Sequence, residues 1–335
     1  MEGPSPDRSD SPVSTPDASV IVCAYADERW SDTVAAVESL RRQTVAPAEI
    51  VLVIDYNERL FELAASLRGV VAIRNSAAKG ASGSRNSGVA AASGAVAAFL
   101  DDDAVASPDW LAALLRAYGE PNVAGVGGSI TPEWPERRPA WFPEEFDWVV
   151  GCTYRGMPET TAPVRNLIGA NMSVRRDVLE RVGGFREGFG NVKSAVSAGW
   201  AGESRASSCE DTELCIRVSQ AHPELRWIYE PRARVRHRVP PHRCTWRYYL
   251  SRSREEGLAK ATLASAVGPT SALGAERSYA GQTLPAGVAR GVREAFVDRD
   301  VDGLRRAGAI VAGLAMTTAG FVEGRIRSAG RDRGT

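Results

Sequence analysis

The sequence predicts an α/β protein: a doubly wound, mostly parallel sheet followed by a helical C-terminal extension. Three observations carry this expectation. Four short apolar runs, 20–24, 51–54, 70–73 and 96–100, have the all-apolar character of strands buried on both faces. Segments of helical spacing lie between and after them, and alternating strands and helices imply right-handed crossovers. The chain has 335 residues, 44% of them hydrophobic, which suffices for one large core or two modest ones.

The elements follow in order. Met1 to Ala18 contains four prolines and four serines and no aromatic residue, which predicts a disordered leader over 1–18 rather than a signal peptide. After the first strand, Trp30, Val34, Val37 and Leu40 are spaced as one helix face. After the fourth, Ser107-Pro108-Asp109 reads as a helix start, Leu111, Leu114, Leu115 and Tyr118 as its buried face, and Gly119 as its stop. The rhythm then loosens. Gly125–Ile130 and Leu167–Val174 read as strands on either side of a Pro/Trp-rich stretch, 132–148. Asp177–Val182 reads as a short helix ended by Gly183-Gly184. Residues 186–208, rich in Gly, Ser and Ala, read as a long functional loop. Glu210–Gln220 reads as a helix, Trp227–Tyr229 and Ala233–His237 as strands, and Thr245 as the cap of a helix reaching about Ala264.

Composition excludes several classes. Lys+Arg and Asp+Glu both number 41, which argues against a blanket nucleic-acid binder. Five cysteines with no CxxC pair suggest neither a disulfide scaffold nor a structural zinc site, and fit a reducing, cytoplasmic setting. GxGxxG is absent after the first strand, which weakens a dehydrogenase reading. The uncharged run Ala307–Val322 falls short of the roughly 20 residues that span a bilayer. It reads as a packed apolar helix or as one seated in a membrane surface.

The chemistry concentrates in a few places. Asp101, Asp102 and Asp103 follow directly on a buried strand, where open α/β sheets place their ligands. Three adjacent carboxylates repel, and a hard divalent cation, Mg²⁺ or Mn²⁺, relieves that repulsion while bridging phosphate oxygens. Asp55 ends the second strand, and Asp27 and Glu28 follow the first, so three strands deliver acids to one sheet edge. Glu210 and Asp211 open a helix directly after the long loop. The alternation around His237 turns Ala233, Val235 and His237 to one face and arginines to the other. Eight arginines and no acid lie between Arg232 and Arg254, which favours a diphosphate, a phosphorylated acceptor or anionic lipid headgroups.

Together these motifs resemble the family 2 glycosyltransferases with the GT-A, Rossmann-like fold. Ala24-Tyr25-Ala26-Asp27-Glu28 is similar to that family's opening P-x-Y-N-E element, with Ala26 for Asn. Glu49 to Asn57 is similar to its second strand, with Asp55 as the one acid. Lys79-Gly80 and Ser84-Arg85-Asn86-Ser87-Gly88 match its G-x-x-x-A-R-N-x-G stretch, and Asp101–Asp103 its DxD motif. Gly169-Ala170-Asn171 and Val182-Gly183-Gly184-Phe185 resemble its acceptor-side segment, Glu210-Asp211 its ED motif, and His237 its metal-binding histidine. The resemblance covers about residues 18–240. The basic stretch and apolar tail are similar to members annotated for polyprenyl- or dolichyl-linked sugars.

The resemblance implies a GT-A domain over 19–240, with a nucleotide-sugar half (19–130) and an acceptor half (131–240), and a helical extension over 241–335 that associates with membrane. It implies an inverting, metal-dependent transferase using a UDP- or GDP-linked sugar and a hydroxyl acceptor, with no nucleic-acid partner. Asp211 would be the base. Ala24, Tyr25, Glu28, Asp55, Lys79, Arg85, Asp101 and Asp102 would hold the donor. Gly169, Asn171, Trp200 and Glu210 would meet the acceptor, while Asp101, Asp103 and His237 would bind Mg²⁺ or Mn²⁺. The setting implied is cytoplasmic, peripheral on the inner face of the cell membrane. Two other classes compete. A non-catalytic nucleotide-sugar or glycan binder could use the same fold. An aspartyl phosphotransferase also places DxD after a strand, but it needs a Thr shortly afterwards, where Ala104, Val105 and Ala106 stand.

Overall fold

Valine, isoleucine and alanine dominate strands 18–24, 49–54 and 96–101 because both faces of the sheet are covered there, whereas the strand expected at 70–73 is an edge strand, 71–74, with no buried residue. In β1 (Ala18–Ala24), Val20, Val22 and Ala24 pack into one apolar cluster and Ile21 into another on the opposite face. Burying each such Val or Ile contributes on the order of 1.5–3 kcal/mol. In the computed structural model, residues 16–187 and 209–331 are described. The predicted leader therefore lies almost wholly outside the described residues, as do most of the predicted loop 186–208 and Trp200 within it.

Beside β1 lie β2 (Glu49–Ile54) and β4 (Val96–Asp101), with β3 (Val71–Arg74) outside β2, all parallel. Helices α1 (Trp30–Arg41), α2 (Glu58–Ala65) and α4 (Trp110–Arg116) feed one face of this sheet. Helices α3 (Ala81–Ala91), α5 (Arg176–Val182) and α6 (Glu210–Ala221) feed the other. That is the doubly wound plan. The sheet then becomes mixed. β8 (Asn171–Arg175) runs antiparallel between β4 and β6 (Val123–Glu133), and β9 (Arg226–Arg238) runs parallel to β6. β5 (Ala104–Ala106) and β7 (Ala162–Val164) flank opposite halves of β9, giving the order β3-β2-β1-β4-β8-β6-β9-β5 with β7 on β9.

Local departures from the sequence expectation have physical causes. The two predicted strands 227–229 and 233–237 are one strand, β9, whose register with β6 shifts between Gly128 and Ser129. Ser107-Pro108-Asp109 forms a turn, not a side-chain cap. At the start of helix α4 (Trp110 onward) Gln43, two residues past the end of α1, reaches across, its Oε1 accepting the Leu111 N–H at 2.9 Å. Leu167–Ala170 is irregular rather than strand, and its backbone turns toward α6. The helix stop at Gly183 is as expected, with φ of 75° and Gly184 N–H closing on Leu179 O at 2.8 Å.

The C-terminal segment is helical. α7 (Trp246–Val267) is capped by Thr245, whose Oγ1 accepts the Tyr248 N–H at 3.3 Å. α8 (Pro269–Ser278) passes through a π turn, Tyr279–Thr283, into α9 (Leu284–Phe296), and α10 (Asp302–Arg331) closes the chain. Helices α7 and α10 meet backbone to backbone. A Cβ on Gly257 would fall 2.0 Å from Thr317 O, and one on Gly320 would fall 2.0 Å from Arg254 O. Tyr249, fully buried, donates to Ala309 O at 2.8 Å and ties this pair to Phe142 and Phe146.

Candidate active site

The carboxyl ends of β1, β2 and β4 meet along one edge, and the acids stand there. Asp101 is the last residue of β4, and Asp102 and Asp103 fill the turn into β5. Short β5 pairs antiparallel with the end of β9, and Ala104 stands opposite His237. This register delivers the imidazole. His237 Nε2 lies 3.1 Å from Asp103 Oδ1. One ligand atom each from Asp101, Asp103 and His237 lie within 4.8 Å of one another. Cys152 Sγ sits 3.9 Å from His237 Nδ1, on the side of the ring away from the carboxylates.

Two carboxylates and an imidazole converging in a buried turn are a donor set for Mg²⁺ or Mn²⁺. Asp102 adds a second sign of fit. It is buried, its Oδ2 has no partner, and burial first of all pushes its pKa up to about 6, against the pull of Arg29. The residues present suit a divalent cation.

Arg29 was not foreseen. It ends the 3₁₀ turn Asp27–Arg29, where Nη1 lies 3.0 Å from Asp102 Oδ1 and Nη2 pairs with Asp103 Oδ2. The signal available was its position one residue past Glu28, on the same edge as the acids. Its guanidinium lies 5.5 Å from the exposed ring of Tyr25, while Glu28 stands exposed on the same turn.

Asp55 follows β2, and both its oxygens are engaged. Asn75 Nδ2 donates to Oδ1 at 2.7 Å and Gly80 N–H to Oδ2 at 3.0 Å. Asp55 thus shapes the loop that carries exposed Lys79 into α3. Ala24 is a buried core residue whose carbonyl accepts the Asp55 N–H at 2.9 Å.

Arg85 of α3 is a buried strut. Its Nη1 donates to Glu210 Oε1 at 2.6 Å, and Nη2 lies 3.7 Å from Asp101 Oδ1. It therefore joins the DxD turn to the start of α6. Glu210 is committed to this ion pair and to the Cys209 N–H. Beside it, Asp211 Oδ2 accepts the Gly169 N–H at 2.8 Å and Oδ1 the Thr212 N–H at 2.6 Å. Burial, reinforced by the Glu210 charge, raises the Asp211 carboxyl from 3.8 to about 6.

Asn171 differs from expectation. It is fully buried, its Oδ1 accepts from Trp110 Nε1 at 2.7 Å, and its Nδ2 donates to Ser129 O and Ala233 O at 3.0 and 2.9 Å. Its amide pins β8 to β6 and β9, which leaves it no reach to an acceptor. The basic stretch also dissolves in part. Arg232, Arg238, Arg252 and Arg254 pair with Glu230, Asp32, Glu256 and Glu323.

A family model described as glycosyl transferase family 2 matches residues 19–183. A glucosyl-dolichyl phosphate glucuronosyltransferase from Haloferax volcanii is 37% identical over 247 residues, covering 72% of this chain and 75% of that protein. The chain belongs to glycosyl transferase family 2. A pre-mycofactocin glycosyltransferase from Mycobacterium tuberculosis is 30% identical over 187 residues, covering 56% of the chain but only 35% of that relative. Among solved structures, a mannosyltransferase from Pyrobaculum calidifontis in complex with GDP-Man and Mn2+ aligns with TM-score 0.51 and 16% identity, over 93% of this chain and 89% of that one. The fold of this family 2 glycosyltransferase is GT-A. The matched span, 19–183, takes in Tyr25, Arg29, Asp55, Arg85 and the DxD turn, while Asp211 and His237 come from elements beyond it.

Proposed function

We propose that this glycosyltransferase moves a sugar from a UDP- or GDP-linked donor to a hydroxyl of a lipid-linked saccharide, with inversion at the anomeric carbon. The observation that carries the reading is the pairing of two groups joined by Arg85. One is the Asp101–Asp103–His237 cluster, with ligand atoms within 4.8 Å. The other is Asp211, half-buried at the start of α6, its carboxyl raised to about 6. The name of the Haloferax volcanii relative supports the lipid-linked acceptor class.

Asp101, Asp103 and His237 would hold the divalent cation. When bound, it would neutralise the charge growing on the departing diphosphate. Tyr25, Glu28 and the loop held by Asp55 line the edge where the nucleotide would lie, with Lys79 beside it. Asp211 would take the proton from the acceptor hydroxyl onto a carboxylate oxygen as the acceptor's own oxygen bonds to the anomeric carbon. The bond from that carbon to the diphosphate oxygen breaks on the opposite face, and nucleoside diphosphate leaves. Gly169 N–H and Thr212 N–H fix the carboxylate for this step. Arg85 and Glu210 hold α6 against the DxD turn, so that base and donor keep one geometry.

The test is nucleotide release from a panel of UDP- and GDP-sugars, with Mn²⁺, Mg²⁺ or chelator, using a short-chain polyprenyl phosphate glucoside as acceptor. Proton NMR of the product then reads the anomeric configuration. Turnover unaffected by chelator, or a product with retained configuration, would overturn the proposal.

A further inference from the structure

Among the described residues, nine of the fourteen large apolar side chains that stand exposed lie between Val292 and Ile326, in the last two helices and the turn that joins them. They form two connected features. At the α9–α10 turn, Phe296 is 76% exposed, Val297 66%, Val301 68% and Leu304 47%. Along α10, Val311, Leu314, Val322 and Ile326 continue an outward face from Leu304 for about 33 Å, at the helical rise of about 1.5 Å per residue. Between Arg305 and Arg325 the exposed positions of that face are Gly, Val, Leu, Ala and Thr, with no charge. At the turn, Arg293 and Arg299 are exposed beside exposed Asp298, while Arg305 pairs with Asp302 at 2.7 Å and Arg306 with Asp300 at 2.6 Å. Apolar tips flanked by arginine fit a surface with an apolar interior and an anionic skin.

Resting on the lipid-linked reading above, we propose that the α9–α10 turn docks the enzyme on an anionic lipid bilayer. Phe296, Val297, Val301 and Leu304 enter the leaflet, and Arg293 and Arg299 lie among the headgroups.

The contact is peripheral, not a span. The sequence run Ala307–Val322 is short, but helix 302–329 is long and apolar enough to cross a membrane by length and composition. Its inner face is nevertheless committed to protein. Gly313 lies against Phe146 and Tyr249, Gly303 against Gly291 O, and Gly320 against Arg254 O, and Glu323 pairs with Arg254. Drawing α10 into a bilayer would strip all of these contacts and bury Glu323. Arg306, just past the turn, donates to Ala140 O at 3.1 Å. Next along the chain, Trp141 stacks edge-on against Trp246, which is 43% exposed and lies nine residues past His237. Through Ala140 and Trp141 the turn is thus connected to the start of α7, the helix that follows β9.

The experiment is flotation of the full chain with vesicles of phosphatidylcholine containing 30% phosphatidylglycerol, against pure phosphatidylcholine. We expect at least fivefold more protein with the anionic vesicles, and at least fivefold loss for Phe296→Glu with Val297→Glu. A lesser loss is expected for Arg293→Gln with Arg299→Gln, and release of bound protein by alkaline carbonate. Both side-chain pairs are exposed, and circular dichroism with turnover on a water-soluble acceptor checks that the variants fold. Failure to float, equal flotation of the Glu variant, or resistance to carbonate would each overturn the proposal. So would a concentration-dependent dimer abolished by the Glu variant without flotation, since a second copy would then be the occupant. Vesicle binding without transfer to the polyprenyl acceptor would sink the acceptor reading alone. Transfer without vesicle binding would sink docking alone.

Discussion

The backbone N–H of Gly169 donates to Asp211 Oδ2 at 2.8 Å, aiming the carboxylate from a loop that the sequence reads as strand. A carboxylate held by the Gly169 and Thr212 N–H groups has a fixed orientation, as the base proposed above needs. Asp211→Asn should therefore leave donor affinity within about twofold and lower kcat by about 10²–10⁴-fold, the span of general-base contributions. Donor titration by calorimetry alongside single-turnover rates separates the two. Near-normal turnover would remove Asp211 from the mechanism.

The same carboxyl sets a pH limb. Because its pKa rises from 3.8 to about 6 on folding, the ionised form that the proposed base step needs is lost as pH falls through about 6, and kcat should fall with it. The stability sign is opposite. A raised folded pKa means that protonation favours the fold, so stability is lost as pH climbs from about 4 to about 6. Asp211→Asn sets an amide NH₂ against one of the two N–H donors, Gly169 or Thr212, so it should lose some stability, but its Tm should be flatter than the parent's between pH 4 and 6 and its residual rate should lack the limb. A pH profile of rate and of Tm on both proteins measures this, and a variant that keeps the parent's pH slope in Tm would contradict it.

Gly169 is also a steric requirement. A Cβ there would lie 2.6 Å from Arg85 Nη2, and Arg85 is packed and ion-paired. Gly169→Ala should displace Arg85 from Glu210, destabilise the protein by about 1–3 kcal/mol, the usual cost of overpacking, and lower kcat more than it alters donor KM. Thermal melts and steady-state rates test it. An unchanged Tm would mean that the loop moves away without cost.

Arg29 bridges Asp102 and Asp103 where a divalent cation would bring its own charge. Arg29→Gln should lower the cation-free Tm, because two buried carboxylates lose their counter-charge, at about 1–3 kcal/mol. Mn²⁺ should then raise the variant's Tm more than the parent's. Equal Mn²⁺ increments would show that the guanidinium and the ion do not share these carboxylates.

What the sequence made legible follows from the range of the forces involved. Strand runs, the Thr245 cap and the Gly183 stop are local patterns, and an acid at the end of a buried strand faces the sheet edge for reasons of pleat and length alone. Arg29, Gly169 and Asn171 take their roles from residues 42 to 74 positions away, and no local pattern encodes such a contact. Asn171 is instructive, because its motif position suggested an acceptor contact, yet its amide is spent on Trp110, Ser129 and Ala233. Asn171→Ala should cost about 2–4 kcal/mol as several buried groups lose partners. Acceptor KM should stay unchanged in whatever folds, which separates a structural role from a binding one.

His237 is the residue whose role depends most on topology. Two-residue alternation turns it inward, but only the antiparallel pairing of β5 with the end of β9 sets it 3.1 Å from Asp103. If it ligates the ion or orients a ligand, His237→Ala should weaken Mn²⁺ binding on the order of 10- to 100-fold, the range for losing a group that holds or orients a metal's ligands. Val235→Ala, two residues back on the same buried face, removes packing without touching the site and should leave Mn²⁺ affinity alone while lowering Tm. Titration of Mn²⁺ by electron paramagnetic resonance reads the affinity directly, without turnover. Equal Mn²⁺ affinity in the His237 variant and the parent would leave the carboxylates alone as ligands. A matching loss in Val235→Ala would instead mean that strand integrity, not the imidazole, governs the ion.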